Sequence, residues 1–417
     1  MGVVRYPVEC PGCEGEILLR LAVGLDERQP FFYICPTCKA ATRGALLWDG
    51  GVGTSLELAD GRVLDSEHNG MIALHINPDI PAIADAKSMM QPEGSATIFF
   101  SCLIGAERLD HFFTRSRDFR SLVKSDWLKL QRLTTYYLNR DWLHFDRIIA
   151  EYTPEQPSSV PEALRREDQF HRLLSLFFAP IWTFDERKPF VVMKASFNGI
   201  WNPNCQHSAE VSEFAKSEVA SEYFTAVQRD LFEHLNRYVQ LVGGLLPGLL
   251  CDMIPQEKQD EVDRLRLFRD DYEQIRDLYV QVFESCHKAL RWVVGTVLCA
   301  NHGTPDAFAK VSASIPGKHR TPSSIDRYTE LPSAEKRKWL ALIPEWNDAW
   351  DPLLDRSLRN DFGHASARHD LPTGLIQRHE GKPLAYTRMV QLAQRILQPL
   401  LACTNVMKIL RIAAAIT

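Results

Sequence analysis

The sequence of 417 residues predicts a mainly α-helical protein with a β-type N-terminal region and a mixed α/β middle region. Apolar residues recur at helical steps of three and four from about residue 105, and such patterns dominate from about residue 208. Residues 1–50 instead contain short strand-like runs, EILLRLAV, FFYIC and GALLW. Hydrophobic residues make up 45% of the chain and charged residues 24%, which excludes collagen, coiled coil and wholesale disorder.

Length and charge limit the organisation and the partners. A chain of this length corresponds to two or three domains, and the composition shifts predict boundaries that give domains 1–50, 51–205 and 206–417. The formal charge is −5, from 48 Lys and Arg against 53 Asp and Glu. This balance argues against a surface coated in basic charge, although a nucleic-acid site needs only a local patch. Residues 51–205 carry no motif that assigns them a role.

Two matched cysteine pairs near the N-terminus are typical of a metal site. Cys10-Pro-Gly-Cys13 and Cys35-Pro-Thr-Cys38 are both C-x₂-C, and the strand-like segment between them can bring one turn opposite the other. Four thiolates are the ligands that structural zinc prefers, in a closed tetrahedral site without a catalytic position. The sequence therefore predicts a zinc ribbon with one structural zinc per chain. Two redox pairs, or cysteines that share this spacing by accident, are the alternative interpretations.

The remaining cysteines and the first residues bear on localisation. Six further cysteines are scattered among apolar neighbours, a pattern typical of reduced, buried thiols. The start, MGVVRYPVECPGC, lacks the basic and apolar parts of a signal peptide. The apolar stretch 238–254 is interrupted by polar residues, glycines and Pro247, so we expect a buried helix ending at that proline. These features predict a cytoplasmic protein without a membrane segment.

The chain pattern predicts the elements in order. Residues 51–104 are strand-like and rich in turns, a helical pattern follows, and the apolar run PFVVMKASF at 189–197 predicts a buried strand. Helices are predicted over about 209–246, 257–300, 347–367 and 387–413. A polar loop at 301–332 precedes a short helix near Ser333, and GLIQRHEGKPLAY predicts a hairpin before the last helix.

One polar segment stands out in the helical third, Leu-Arg-Asn-Asp-Phe-Gly-His at 358–364. Asn360 and His364 are four residues apart and share a face on a helix, with Arg359 directly before them. Polar groups among apolar helix patterns cost free energy unless they are satisfied, so a functional site is one interpretation. A capping or core-lining Arg/His pair is the other, and from the residues alone it is the more ordinary one.

This segment resembles the R-x₄₋₆-H motif of the HEPN superfamily, most often found as Arg-Asn-x₃-His. Long helices precede it and a hairpin and a final helix follow it, so the resemblance covers roughly residues 208–417. It implies a C-terminal HEPN-like helical bundle of four or five helices. Many HEPN domains are endoribonucleases that need no metal for catalysis, and they act as toxins, anti-phage effectors or RNA-processing enzymes.

The resemblance also implies a role for each motif residue. His364 would be the general acid/base for the ribose 2′-hydroxyl, Arg359 would hold the scissile phosphate, and Asn360 would orient the site. The active site would form across a homodimer, RNA would be the substrate, and an inhibitory or sensor protein partner would restrain the enzyme. From their charge alone, we also expect the basic residues in 318–338 to guide the RNA backbone.

The sequence thus leads to one main function and two alternatives. The first is a metal-independent endoribonuclease, a toxin or antiviral defence effector whose zinc ribbon and middle domain act as sensor. The second is a non-catalytic protein in which the ribbon and the bundle serve dimerisation or partner binding. A DNA-binding regulator is the third, and the acidic composition disfavours it.

Overall fold

A computed structural model describes residues 2–24, 26–48, 53–83, 96–153, 161–182, 189–200, 205–363, 366–379 and 382–416. It is mainly α-helical with small separate sheets, as predicted. The β-strands in these ranges are β1 Val3–Glu9, β2 Glu16–Ala22, β3 Arg28–Ile34, β4 Ala41–Trp48, β5 Thr54–Leu58, β6 Arg62–Val63, β7 Ile72–Ile76, β8 Ala82–Ile83, β9 Leu265–Arg266, β10 Arg368–Asp370, β11 Leu375–Gln377 and β12 Leu384–Ala385.

The helices in the same ranges follow in chain order. They are α1 Ala96–Ile104, α2 Ala106–Asn139, α3 Trp142–Ile149, α4 Glu162–Trp182, α5 Pro189–Ile200, α6 Ser208–Val219, α7 Glu222–Gln240, α8 Val242–Asp252, α9 Tyr272–His302, α10 Phe308–Val311, α11 Ile325–Thr329, α12 Ser333–Lys338, α13 Pro344–Trp350, α14 Arg356–Gly363, α15 Tyr386–Arg395 and α16 Leu397–Ala415.

The chain forms two compact units, each assembled from three segments. Unit 1 contains Met1–Arg120, Gln240–Leu278 and Asn360–Arg395, and unit 2 contains Ser121–Val239, Tyr279–Arg359 and Ile396–Thr417. The linear domains 1–50, 51–205 and 206–417 are a different division of the chain and stay a prediction.

The sheets of unit 1 grow from two antiparallel hairpins. β1 pairs with β2, and the sheet order β6-β1-β2-β7 adds β7 in parallel to β2. β3 pairs with β4 and then β5 in an antiparallel three-stranded sheet. The predicted run EILLRLAV forms β2, FFYIC contains the end of β3, and GALLW forms the second part of β4. The structure thus confirms the β character of the N-terminal region.

A shared apolar core joins these strands to the rest of unit 1. Its buried members come from both sheets and include Leu19, Phe31 and Leu46, together with Phe268 and Leu371 from later segments of the chain. Burial of side chains of this size stabilises a fold by about 1.5–3 kcal/mol each. The N-terminal strands are therefore held by residues far along the sequence as well as by their own pairing.

Helix α8 shows why the prediction of a helix end at Pro247 is wrong. The helix runs from Val242 to Asp252 and passes through the proline. Every residue from Val242 to Cys251 is buried. A Cβ atom at Gly248 would lie only 2.5 Å from the Val390 carbonyl oxygen of α15. This close contact between the two helices stabilises α8 enough to offset the loss of the backbone hydrogen bond that Pro247 cannot form.

Unit 2 is helical, and α16 is its central element. This helix packs against α4, α5 and α6, and α13 packs against α5. The indole Nε1 of Trp346 donates to the Met193 carbonyl at 2.9 Å and fixes the second of these contacts. Trp292, Trp346 and Trp350 are fully buried. Large aromatic side chains therefore carry much of this core.

The strand predicted at 189–197 is wrong, because the structure has helix α5 there. Its buried residues, Phe190, Met193 and Phe197, are three and four positions apart and form one helical face. A short continuous apolar run does not distinguish a buried strand from a buried helix. The long helices predicted over 209–246, 257–300, 347–367 and 387–413 are also interrupted in the structure.

One helical stretch, Tyr386–Ala415, has the length and mean hydropathy of a membrane span. It contains α15 and α16, and 78% of its apolar window is buried inside the protein. A core helix passes the same test of length and composition, so this stretch is weak evidence for a membrane segment.

Candidate functional site

The four predicted cysteines come together at the turns of the two N-terminal hairpins. Cys10 and Cys13 lie in the turn between β1 and β2, and Cys35 and Cys38 in the turn between β3 and β4. Their sulfur atoms all lie within 4.8 Å of one another. Among the described residues, no other group of three or more His, Cys, Asp or Glu side chains was found with this arrangement.

The two turns have the same backbone geometry. The N–H of Cys10 donates to the Gly15 carbonyl at 3.0 Å, and the N–H of Glu14 donates back to the Cys10 carbonyl at 2.9 Å. In the second turn Cys35 donates to Ala40 and Lys39 donates to Cys35, at 2.9 and 3.0 Å. Glu14 and Lys39 occupy equivalent positions with φ of 55° and 63°. Each turn therefore aims two sulfurs at a common point.

The distances between sulfurs fit a tetrahedral ion. Cys10 Sγ lies 3.6 Å from Cys38 Sγ, and Cys13 Sγ lies 3.7 Å from Cys35 Sγ. A regular tetrahedron with zinc–sulfur bonds of about 2.3 Å has edges of about 3.8 Å. A disulfide would need about 2.05 Å, and all four cysteines are free. The four cysteines can therefore hold a metal ion.

Glycine fits the limited space inside the first turn. A Cβ atom at Gly12 would lie 3.2 Å from Cys38 Sγ and 3.3 Å from Ala40 Cβ. The N–H of Gly12 also points at Cys10 Sγ, at 3.4 Å. The small residue of the Cys-Pro-Gly-Cys sequence thus leaves room for the opposite turn.

The thiols differ in their affinity for protons. Burial raises the pKa of Cys10 to about 12. Burial also acts on Cys35, but the backbone N–H groups of Cys38 and Thr37 and the neighbouring thiols outweigh it and lower its pKa to about 7. Cys35 therefore loses its proton more easily than Cys10 does. A bound cation would supply the charge that favours deprotonation of the others.

The second candidate site is the Arg-Asn-His segment, which lies at the end of a short helix. Arg359 and Asn360 belong to α14, which ends at Gly363. His364 lies outside the described residues. The segment is thus not in the middle of a long helix, as the predicted helix over 347–367 implied.

Arg359 forms an ion pair with Glu284 of α9, within unit 2. The side chains are 30% and 37% exposed, so both reach solvent. An ion pair with this exposure contributes only about 0–1 kcal/mol to stability. A phosphate could replace the carboxylate at the guanidinium without a large loss of stability.

Further cations surround this ion pair in unit 2. We refer to Lys288, Lys336, Arg337 and Arg359 as the cationic cluster. Burial lowers the pKa of Lys336, Lys288 adds to the shift, and Glu284 opposes it. Burial lowers the pKa of the buried His287 to about 4, against the opposing hydrogen bond to the Phe283 carbonyl. The charges of Lys336, Arg337 and Arg359 lower this pKa further.

Each of the other cluster members has a carboxylate neighbour as well. Lys288 pairs with Asp230 at 3.2 Å, and Arg337 pairs with Asp351. The cluster therefore has a small excess of positive charge. Sequence reasoning missed Glu284 as the partner of Arg359, because nothing in the sequence links the two positions.

Asn360 and the residues that follow it as far as Arg395 belong to unit 1. Asn360 is half-buried. Asp361 is buried, and its Oδ2 accepts from Nε of Arg378 at 2.5 Å. Its backbone carbonyl accepts from the hydroxyl of Ser366 at 2.9 Å. These contacts attach the end of α14 to the segment that leads through β10 and β11.

The hairpin that was predicted to follow the segment is present. β10 pairs with β11, and β11 pairs with β12, both antiparallel. The hairpin is followed by α15. The order helix, polar segment, hairpin and helix therefore agrees with the sequence prediction.

Comparison of the chain with protein-family models, with curated proteins and with solved structures gave no match.

Proposed function

We propose that this protein is a metal-independent endoribonuclease whose active site contains Arg359, Asn360 and His364. The observation that carries the proposal is the Arg-Asn-x₃-His sequence, with a partly exposed Arg359 that belongs to the cationic cluster. The order of elements around the segment supports it as well. The resemblance to HEPN domains rests on these features alone.

The chemistry follows from the residue types. His364 would remove the proton from a ribose 2′-hydroxyl, and the 2′-oxygen would attack the adjacent phosphorus. The 5′-oxygen of the next nucleotide would leave and take up a proton, so the products are a 2′,3′-cyclic phosphate and a 5′-hydroxyl. Arg359 would offset the charge that develops on the phosphate oxygens. DNA lacks the 2′-hydroxyl and would not be cleaved.

Glu284 has a defined part in this proposal. It holds Arg359 in the absence of RNA, and a substrate phosphate would compete with it for the guanidinium. Lys336 lies near Glu284, so it would provide a second cation for the same phosphate. Of the basic residues at 318–338 that were predicted to guide RNA, Lys336 and Arg337 belong to the cationic cluster.

The wider setting is part of the same proposal. The four cysteines would bind one structural zinc per chain, since four thiolates at these distances are a zinc ligand set. The protein would act in the cytoplasm as a homodimeric toxin or antiviral defence effector. The N-terminal region would respond to an inhibitory or sensor partner.

A non-catalytic role is the second candidate, and the ion pair between Arg359 and Glu284 favours it. An arginine of purely structural function would make the same contact. In that case the helical unit would serve dimerisation or partner binding, and the metal site would only stabilise the N-terminal hairpins.

The experiment compares purified wild type with Arg359→Ala and His364→Ala on labelled RNA in excess EDTA. Arg356→Ala is the matched control, because Arg356 is an exposed arginine of the same helix. The zinc content is measured before and after, so that loss of the structural metal is not mistaken for loss of chemistry. Each product end is identified as cyclic phosphate or open phosphate.

The expected result is cleavage by wild type and Arg356→Ala, with cyclic phosphate ends, and a loss of about 100-fold or more in both active-site variants. Equal cleavage by all four proteins would assign the activity to a contaminant or another site. A wild type that neither cleaves RNA nor slows growth on expression would favour the non-catalytic candidate.

A further inference from the structure

A cavity of about 300 Å³ lies within unit 2 and is lined by residues of α4, α5 and α16. Its deeper wall is apolar, because Leu174, Phe190 and Leu401 line it and are almost fully buried. Arg172 and Leu176 of α4 line it too and are exposed, so the cavity opens to solvent beside them. This volume is at the lower end of the range of small-ligand sites.

Three cationic side chains line this cavity. They are Arg172, Lys194 and Lys408, and Asp168 is the one carboxylate in the same lining. The whole chain carries a net charge of −5, so an excess of positive charge here does not follow from the composition. Concave sites lined by one sign of charge concentrate ions of the opposite sign.

Lys408 and Asp168 are unequally exposed. The ammonium of Lys408 lies 2.7 Å from Asp168 Oδ1, yet the side chains are 13% and 64% exposed. The cation is therefore inside and its carboxylate is at the surface. A dianion that enters the cavity can take the place of this exposed carboxylate, which is free to turn into water.

Lys194 is close to a second lysine instead of a carboxylate partner. Burial lowers its pKa, and the nearby charge of Lys408 lowers it further, while Asp168 opposes the shift. Its Nζ lies 5.8 Å from the centre of the Phe190 ring. Among the described residues Lys194 forms no ion pair. Two lysines held together in this way are stabilised by an anion between them.

His171 adds a neutral polar group to the wall. It is buried, and its Nε2 lies 3.5 Å from the hydroxyl of Tyr137. Burial lowers its pKa well below the usual value, and the charges of Lys408, Arg411 and Lys194 lower it further. Imidazole is therefore uncharged here at neutral pH, and the positive charge of the cavity comes from the lysines and Arg172.

We propose that this cavity binds a small phosphomonoester. The dianionic phosphate would lie between Lys194 and Lys408, and the apolar wall at Phe190 and Leu401 would receive the organic part of the ligand. Inorganic phosphate would leave that wall unused and would bind more weakly. The site is separate from Arg359 and its function does not depend on ribonuclease activity.

Isothermal titration calorimetry on the full chain tests this, with adenosine 5′-monophosphate, inorganic phosphate and adenosine as probes at constant ionic strength. The variants are Lys194→Met and Lys408→Met, which keep the aliphatic stem. Lys129→Met is the matched control, because Lys129 is a half-exposed lysine of unit 2 that pairs with Glu151 outside the cavity. Asp168→Asn removes the competing carboxylate.

The monophosphate should bind wild type more tightly than phosphate does, and adenosine should not bind measurably. Each cavity lysine variant should weaken binding about tenfold or more, since hydrogen bonds between charged groups are the strong ones. Lys129→Met should leave binding unchanged. Asp168→Asn should tighten it, a gain that misfolding cannot produce.

Three results would overturn the proposal. One is the absence of monophosphate binding to wild type at millimolar concentration. Another is an equal loss in Lys129→Met and the cavity variants, which would indicate unspecific attraction to positive charge. The third is unchanged or weaker binding in Asp168→Asn with a normal thermal transition.

Discussion

Removal of the metal from the four-cysteine site should unfold the N-terminal hairpins. The two sulfur–sulfur distances, 3.6 and 3.7 Å, correspond to metal–sulfur bonds of about 2.2–2.3 Å in a regular tetrahedron. A structural zinc with four thiolates contributes about 10–16 kcal/mol of apparent binding free energy at neutral pH. A domain is stable by only about 5–15 kcal/mol. A zinc ion bound to the four cysteines would therefore contribute as much as the stability of the fold around it.

The assay combines three measurements on one preparation. X-ray absorption gives the ligand type and bond length, metal analysis gives the stoichiometry, and hydrogen exchange reports the protection of the β3 and β4 amides with and without metal. We expect one zinc per chain, four sulfur ligands at about 2.3 Å and loss of amide protection in the apo protein. Cys35→Ser should behave like the apo protein. Cys102→Ser, which changes an exposed cysteine outside the cluster, should behave like wild type.

The reasoning is refuted if the metal-free protein keeps the same amide protection in β3 and β4. It is also refuted if nitrogen or oxygen atoms replace two of the four sulfurs in the absorption spectrum. Either result would mean that the two turns are held by the apolar core alone and that the cysteines meet for another reason.

Two further predictions concern packing and charge. Gly248→Ala should destabilise unit 1 by about 1–3 kcal/mol, because its Cβ would lie 2.5 Å from the Val390 carbonyl oxygen. The control is Gly199→Ala in α5, whose Cβ would meet nothing within 4 Å, so this variant should be neutral or stabilising by up to about 1 kcal/mol. Denaturant titration measures the free energy of unfolding of both variants. Burial raises the pKa of Glu167 from 4.5 to about 7, despite the opposing charge of Arg411 and the hydrogen bond from Tyr137. Between these two pKa values the folded state holds a proton that the unfolded state releases. The contribution of Glu167 to the free energy of unfolding is therefore greatest below pH 4.5 and falls by up to about 3 kcal/mol as the pH rises to 7. Glu167→Gln should remove that slope from unfolding curves recorded between pH 5 and 8, and an unchanged slope would show that the carboxyl is ionised throughout.

Local patterns account for what the sequence predicted correctly. The Cys-Pro-x-Cys turns close through hydrogen bonds that span only four and five residues, so their geometry is encoded within each turn. The strands that flank them alternate or are continuously apolar over lengths typical of strands. The β-type N-terminus, the cysteine cluster and the mainly helical remainder therefore required no knowledge of distant contacts.

Long-range contacts decided the predictions that failed. The run at 189–197 becomes a helix because Phe190, Met193 and Phe197 meet unit 2 on one side. Helix α8 continues through Pro247 because its whole surface is covered and Gly248 permits the close approach of α15. In both cases tertiary packing outweighs a local preference of a few kcal/mol.

The sequence by itself determined the chemistry that is available: four cysteines in two matched turns, and an arginine and an asparagine followed by a histidine in a polar segment. Only the tertiary structure decided what surrounds these groups. Glu284 and Lys336 come to Arg359, and Lys194 and Lys408 come to one cavity, from segments far apart in the chain. The physical reason is that a pairing between distant residues depends on how the helices pack, and helical periodicity specifies which face is buried but not which partner covers it.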